Sequence, residues 1–305
     1  ASIDEMLNLP RSLRNLLKDH YTIKQAQIKA IRESRDGTRK IAFELFDGEV
    51  IESVLIPSKN RNTVCISTQS GCKLGCSFCA TGTMKFRRNL KSGEIFDQVF
   101  LLDKMLKNEK SKGLTNIVVM GMGEPLLNYN PLLRSLDLIT SPAGMDMSYR
   151  RITISTVGIS QNIRKMADDS AKYNLAVSLH AADDSLRNKI VPYNRKDNLA
   201  ELAKAIVYYH EKTGNRITYE YLLLKDVNDQ MEHARKLAEF CKIAPCKINL
   251  IEYNEFPGME FKRSTEKNKQ AFADFLESKN LVVNIRRSRG DDIEAACGQL
   301  ASKKE

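Results

Sequence analysis

A chain of 305 residues with 42% hydrophobic and 28% charged side chains is long enough to bury a real core and is composed like a soluble globular protein. No apolar run reaches the roughly 20 residues that a membrane-spanning helix needs, and Ala1 opens no signal-peptide pattern, so the expected compartment is the cytosol. The 48 basic residues outnumber the 38 acidic ones, giving +10, which favours an anionic partner, nucleic acid first; the 7 cysteines, an odd number in a reducing compartment, argue against a disulfide scaffold.

Residues 3–34 read as helical, with Met6, Leu7, Leu13, Leu16 and Leu17 on one face. "RKIAFELFDGEVIESVLI" (39–56) reads as a β-hairpin turning at Asp47-Gly48. From residue 62 onward short β-rich runs recur at 63–67, 116–121, 151–156, 174–179, 217–224, 247–253 and 281–287. Amphipathic helical stretches such as 92–109, 199–213 and 230–242 lie between them. That alternation means βα units around a parallel sheet, and six or seven of them suit a full or partial barrel with its active site at the C-terminal strand ends. The expected fold is therefore α/β, a partial (β/α)6 barrel over 61–290. A helical segment (1–38) and a hairpin extension (39–60) precede it, and a C-terminal loop with the basic tail "SKKE" (291–305) follows.

The chemically suggestive clusters fall on one rim of that barrel. "GCKLGCSFCATGTM" (71–84) follows the first strand of the series, "GMGEP" (121–125) closes the second and Ser155-Thr156 ends the third. "SLH" (178–180) ends the fourth, and "YNEFPG" (253–258) follows the sixth. Cys72, Cys76 and Cys79 form C-x3-C-x2-C, with Phe78 before the last thiol. A structural zinc site closes with a fourth Cys or His. Cys65 could supply it, but it lies inside a predicted strand, and the loop has no paired knuckle. The other choice is a [4Fe–4S] cluster held by three thiolates, which leaves one iron for a small molecule to chelate. "GMGEP" suits such a molecule: Gly121 and Gly123 let the backbone come close, and Glu124 can accept hydrogen bonds from an ammonium group. Taken alone, a glycine-rich strand end is only a turn.

Two further cysteines, Cys241 and Cys246, read as small buried hydrophobes. Cys297 differs. It stands beside Gly298 in "RGDDIEAACGQL" (289–300), a polar stretch without strand or long-helix periodicity, where a retained cysteine is more often used than buried.

"CISTQSGCKLGCSFCATGT", "GMGEPLLN", "ISTVGI", "SLHA", "NLIEYNEFPG" and "RGDDIEAACGQL" together resemble the RlmN family of radical S-adenosylmethionine (SAM) adenine-C2 methyltransferases, over nearly the whole chain. The resemblance implies a partial (β/α)6 radical-SAM barrel, a [4Fe–4S] cluster on Cys72, Cys76 and Cys79, and two SAM molecules per turnover. It implies methylation of adenosine C2 in 23S ribosomal RNA, at the peptidyl transferase centre, and in tRNA. C2 lies between two ring nitrogens and has no lone pair to attack a sulfonium methyl, whereas a carbon radical can add there. By the same resemblance Cys297 carries the methyl as S-methylcysteine and Cys65 resolves the RNA adduct through a transient disulfide. Glu52 accepts the proton, and Gly123, Glu124, Ser155, Ser178, Leu179, His180 and Asn254 contact SAM. A reductant such as flavodoxin and a monomeric state are further implications.

For RNA phosphates the candidates are Lys85, Arg87, Arg88, Arg286, Arg287 and Arg289, which flank the proposed rim, with the target adenine flipped into the pocket. Lys85 stands where the family pattern has glycine, and residues 1–38 are expected to belong to an accessory RNA-binding domain that continues upstream. Two rival readings stay open. One is a Cfr-like adenine-C8 methyltransferase that confers antibiotic resistance, and the other is a zinc-stabilised RNA-binding protein without catalysis.

Overall fold

The computed structural model describes residues 2–109, 112–256 and 258–301; "SKKE" and Pro257 of "YNEFPG" lie outside the described residues. The N-terminus is helical only as far as His20, as a single turn at Ile3–Glu5 and helix α1 at Arg11–His20. No residue of α1 is buried. Residues 27–33, expected to continue the helical segment, instead form strand β1 (Gln27–Glu33), antiparallel to β2 (Arg39–Glu44) with Glu33 opposite Arg39. All seven β1 residues are exposed, so no buried face fixed the spacing of its apolar side chains; the backbone ladder to β2 decides the conformation.

The predicted hairpin is present. β2 pairs with β3 (Val50–Ser58) across a turn in which the Gly48 N–H donates to the Leu45 carbonyl at 2.9 Å. Gly48 has φ +79° there, a conformation open to glycine at no steric cost. β3 then pairs antiparallel with β4 (Arg61–Cys65), Val54 opposite Cys65.

Beyond β4 the chain makes a short ribbon, β5 (Gln69–Ser70) with β6 (Arg88–Asn89), enclosing the four-residue helix α2 (Ala80–Thr83). Right-handed alternation of helix and strand follows: α3 (Ser92–Asn108), β7 (Asn116–Val119), α4 (Tyr129–Thr140), β8 (Ile152–Thr156), α5 (Ser160–Asp168) and β9 (Asn174–Ser178). Then come α6 (Asp184–Ile190), α7 (Leu199–Thr213), β10 (Ile217–Leu223), α8 (Met231–Phe240), β11 (Cys246–Glu252), α9 (Glu266–Ser278) and β12 (Val282–Arg286). One sheet runs β1-β2-β3-β4-β7-β8-β9-β10-β11-β12, open at both ends and parallel from β4 to β12. The fold is thus the expected α/β partial barrel.

Local chemistry explains the regularity. α7 starts where the Asn198 side chain accepts the Glu201 N–H and stops at Gly214, φ +68°. α9 starts where the Thr265 hydroxyl accepts the Asn268 N–H. Both are ordinary helix signals. β10, "ITYEYLL", is buried at every position, as befits a central strand covered by helices on one face and by the barrel interior on the other.

Candidate active site

The exit from β4 is fixed before any thiol is placed. The buried Gln98 amide of α3 accepts from the Ser67 N–H at 2.8 Å and donates to the Ser67 carbonyl at 3.0 Å. The Asn128 amide donates to the carbonyls of Thr68 and Leu90. Gly71, φ +73°, then presses against the Lys85 carbonyl where a Cβ would collide. The loop between is pinned at both ends and presents Cys72, Cys76 and Cys79 to one cavity of about 160 Å³. Burial raises all three thiol pKa values, Cys72 to about 12. Cys76 is raised further by its two neighbours. Buried thiols that oppose each other's ionisation become thiolates only beside a strong cation, which is what an iron cluster supplies. Among the described residues no three Cys, His, Asp or Glu side chains converge on a single-ion position. Cys65, considered as a fourth zinc ligand, lines an adjoining cavity that Cys79 lines as well.

The opposite wall of the first cavity holds most of the other predicted residues, Gly123, Glu124, Ser155, Ser178 and His180. Glu124 accepts the Leu126 N–H at 3.1 Å and the Val157 N–H at 3.0 Å, and burial lifts its pKa to about 7. Ser155 and Ser178 share a 3.1 Å hydrogen bond across β8 and β9. The His180 Nδ1 accepts the Leu222 N–H at 3.1 Å, Phe78 meets its ring edge-on, and burial drives its pKa down to about 3. His180 is therefore neutral, with its proton on Nε2.

Several of the predicted residues are also held by other partners. Gly121 and Gly123 make room for the chain itself: a Cβ would strike Ile66 and Ser67 at Gly121, and the Gln69 side chain at Gly123. Leu179 turns its side chain into the hydrophobic core and offers only its carbonyl, which accepts from Arg187 Nε at 3.0 Å. Arg88 is not free for phosphate, because its guanidinium binds both Asp47 and Glu94. Arg286 reaches inward instead: it lines both cavities and pairs with buried Glu220 at 3.3 Å. Lys85, Arg87, Arg287 and Arg289 remain exposed.

Arg187 is the residue that sequence reasoning missed. Buried at 1% exposure, it ties the Leu179 carbonyl, the Asn194 side chain and the Val157 carbonyl together, locking the ends of β8 and β9. Its setting, "DSLRNKI", carries only the signal of a helix surface.

The second cavity, about 260 Å³, brings Cys65, Cys79 and Cys297 to one space, with Asn254 and Arg286 in its wall. Cys297 and Arg286 line the first cavity too, so Cys297 stands where the two spaces join. The Asn254 amide donates to the Cys297 carbonyl at 3.3 Å. The Ala80 N–H donates to the Gly298 carbonyl at 2.7 Å, and the Thr81 hydroxyl to the Leu300 carbonyl at 2.6 Å. Cys297 is exposed and Cys65 buried; burial first and Cys297 second push the Cys65 thiol to about 12.

Glu52 lines neither cavity. It is buried on β3 with Lys40 Nζ 3.4 Å from its Oε1, and its Oε2 makes no hydrogen bond, although the Ala301 N–H lies near enough to favour the charged form. Burial outweighs both partners and raises its pKa.

An open parallel barrel whose first loop offers three thiols, facing a wall of polar strand ends, defines a radical SAM enzyme. Residues 66–238 match the Radical SAM superfamily. A crystal structure of a radical SAM methyltransferase from Sphaerobacter thermophilus superposes with a TM-score of 0.94 at 40% identity, covering 98% of this chain and 88% of that one. Two curated relatives named "Probable dual-specificity RNA methyltransferase RlmN" are 47% identical (Flavobacterium psychrophilum) and 48% identical (Christiangramia forsetii) over 99% of this chain, covering 87% and 86% of theirs. A Staphylococcus aureus relative of the same name is 43% identical over 99% of this chain and 83% of its own length. The chain belongs to the RlmN family of SAM-dependent RNA methyltransferases, whose cofactors are a [4Fe–4S] cluster and SAM.

Proposed function

We propose that this enzyme methylates adenosine C2 in 23S ribosomal RNA and tRNA, with Cys72, Cys76 and Cys79 as cluster ligands, Cys297 as methyl carrier and Cys65 as its disulfide partner. One observation carries the reading: Cys65 and Cys297 share a cavity that opens, at Cys297, into the cavity lined by the three cluster cysteines. Cys72, Cys76 and Cys79 would hold the cluster beside SAM, and together the two would supply one-electron, hydrogen-abstracting chemistry there.

The chain's own residues do the rest. Glu124, Ser155, Ser178, His180 and Asn254 orient the cosubstrate, and Arg187 holds the ends of β8 and β9 that bear the two serines and His180. Neutral His180 donates only from Nε2. The proton-accepting role of Glu52 rests on the resemblance and on burial, which makes it the stronger base; it is paired with Lys40, outside both cavities. Arg287 and Arg289, exposed at the mouth of the second cavity, suit phosphate contacts. An electron donor of the flavodoxin class, a monomeric state and a cytoplasmic setting complete the reading; among the described residues no helix is long and apolar enough to cross a membrane.

The test is anaerobic reconstitution with iron and sulfide, followed by assay of an unmodified ribosomal RNA fragment with SAM. Mass spectrometry should place the methyl on C2; a methyl on C8 would move the chain to the sister activity. Cys297→Ala should abolish methylation while SAM cleavage persists, and Cys65→Ala should accumulate a protein–RNA adduct. Methylation by Cys297→Ala would overturn the mechanism.

A further inference from the structure

The hairpin turn between β2 and β3 carries a feature that the chemistry above does not use. Turn positions favour small or polar residues, yet Phe46 occupies this one and is 45% exposed. Three cations lie over its ring: Lys91 Nζ at 4.5 Å, Lys24 Nζ at 4.8 Å and the Arg88 guanidinium at 5.5 Å from the centroid. The turn is rigid. The Leu45 N–H donates to the Glu49 carbonyl at 2.8 Å, and Arg88 grips Asp47 with two nitrogens while binding Glu94 with two contacts of its own. Both carboxylates are therefore committed to Arg88. Lys24 and Lys91 form no salt bridge among the described residues.

The location ties this platform to the reaction. In the β3–β4 register Val54 faces Cys65, so residues 50–53 run past the C-terminal end of β4 and the turn stands on the active rim. Glu49 accepts the Ser70 hydroxyl at 2.7 Å, and Ser70 lies two residues before Cys72. On the other side of the β5–β6 ribbon a second pair repeats the arrangement, with Lys73 Nζ 4.3 Å from the Phe86 ring centroid and exposed Lys85 and Arg87 beside it.

We propose that Phe46, flanked by Lys24 and Lys91, is a stacking platform for an unpaired base of the substrate RNA next to the target adenosine, with the two lysines on its phosphates. The assignment rests on the RNA-modifying reading above. An exposed ring whose covering lysines, on flexible stems, can swing from its face to the flanking phosphates is a combination that holds single-stranded nucleic acid, since every base has a π-face and every linkage a negative charge. An apolar partner surface would leave the lysines desolvated.

The experiment uses the reconstituted holoenzyme, with an unmodified tRNA transcript and a short unmodified 23S ribosomal RNA hairpin as probes, and fluorescence anisotropy as readout. Phe46→Ala and Phe46→Leu should raise Kd about tenfold, the scale of one lost stacking contact, while Phe46→Trp stays within about twofold of the parent. Lys24→Ala with Lys91→Ala should flatten the dependence of log Kd on log salt by about 1.5, as expected for two lost phosphate contacts. RNA-independent SAM cleavage and the thermal midpoint should hold in the Leu and Trp variants. Parental affinity in Phe46→Ala overturns the proposal. So does parental affinity in Phe46→Leu, which would make the ring a mere apolar plug of the turn. Unchanged RNA affinity, with turnover lost only when an acidic protein reductant replaces dithionite, would assign the surface to the electron donor and also overturn it. Loss of binding in Phe46→Ala alongside a parent that methylates no RNA would instead sink the functional reading and leave the platform standing.

Discussion

Replacing Lys40 by methionine removes one charge from a pair that is closed to solvent on both sides. The two side chains are 7% and 8% exposed, with Nζ 3.4 Å from Glu52 Oε1, and Nζ also donates to the Glu294 carbonyl at 3.2 Å. At an effective dielectric of about 20 the attraction is about 5 kcal/mol, and removing one partner of a buried pair typically costs about 3–5 kcal/mol because a charge is left stranded. The pH dependence gives the sign. Burial already raises the Glu52 pKa despite Lys40, so Lys40→Met raises it further. A raised carboxylate pKa means that ionisation destabilises the fold, and the penalty is present above the folded pKa and absent below the unfolded value of about 4.3. Urea unfolding of Lys40→Met should therefore show a loss of about 3–5 kcal/mol at pH 8. At pH 4.5 the loss should be about 1 kcal/mol, chiefly the Glu294 contact. Lys40→Met with Glu52→Gln should recover most of the pH 8 loss. An equal loss at both pH values, or one below about 1 kcal/mol at pH 8, would refute the argument.

Two other outcomes follow from the same geometry. His180, with its pKa near 3, should show no imidazole titration between pH 5 and 8 by NMR and should hold the Nε2–H tautomer; its contribution to stability should fall as pH drops from about 6.5 toward 3, because only the unfolded chain takes up the proton. A midpoint within pH 5–8 would contradict this. Gly123→Ala, at φ +95° and against the Gln69 side chain, should cost about 1–3 kcal/mol from backbone conformation alone, and more from the clash, in the same unfolding assay.

The parallel barrel was legible because its strands are continuous apolar runs between amphipathic helices, and burial on both faces leaves no other reading for "ITYEYLLL" or "KINLIEY". β1 was not. "QIKAIRE" mixes good helix formers with isolated isoleucines, and no buried face imposed a period of two on an edge strand. The rim clusters were legible because each follows a strand. What escaped is direction: a string of arginines near "GDD" does not reveal that Arg286 turns into the site toward Glu220 while Arg287 and Arg289 face outward. Pairing escaped too, since Arg88 looks like a phosphate contact until Asp47, from 41 positions upstream, is seen to bind it. Arg187 was invisible for a third reason: its direct partners are backbone carbonyls and the Asn194 side chain, which no sequence pattern pairs with an arginine.

The segment bearing Cys297 forms no strand or long helix; besides its ties to Asn254 and Glu255 it is stitched to Ala80 and Thr81 of α2, just after Cys79. A shift of α2 is therefore passed to the Cys297 stretch through the carbonyls of Gly298 and Leu300. Under the proposed roles, damage to the cluster loop would be felt at the Cys297 sulfur without any contact between the two thiol groups themselves.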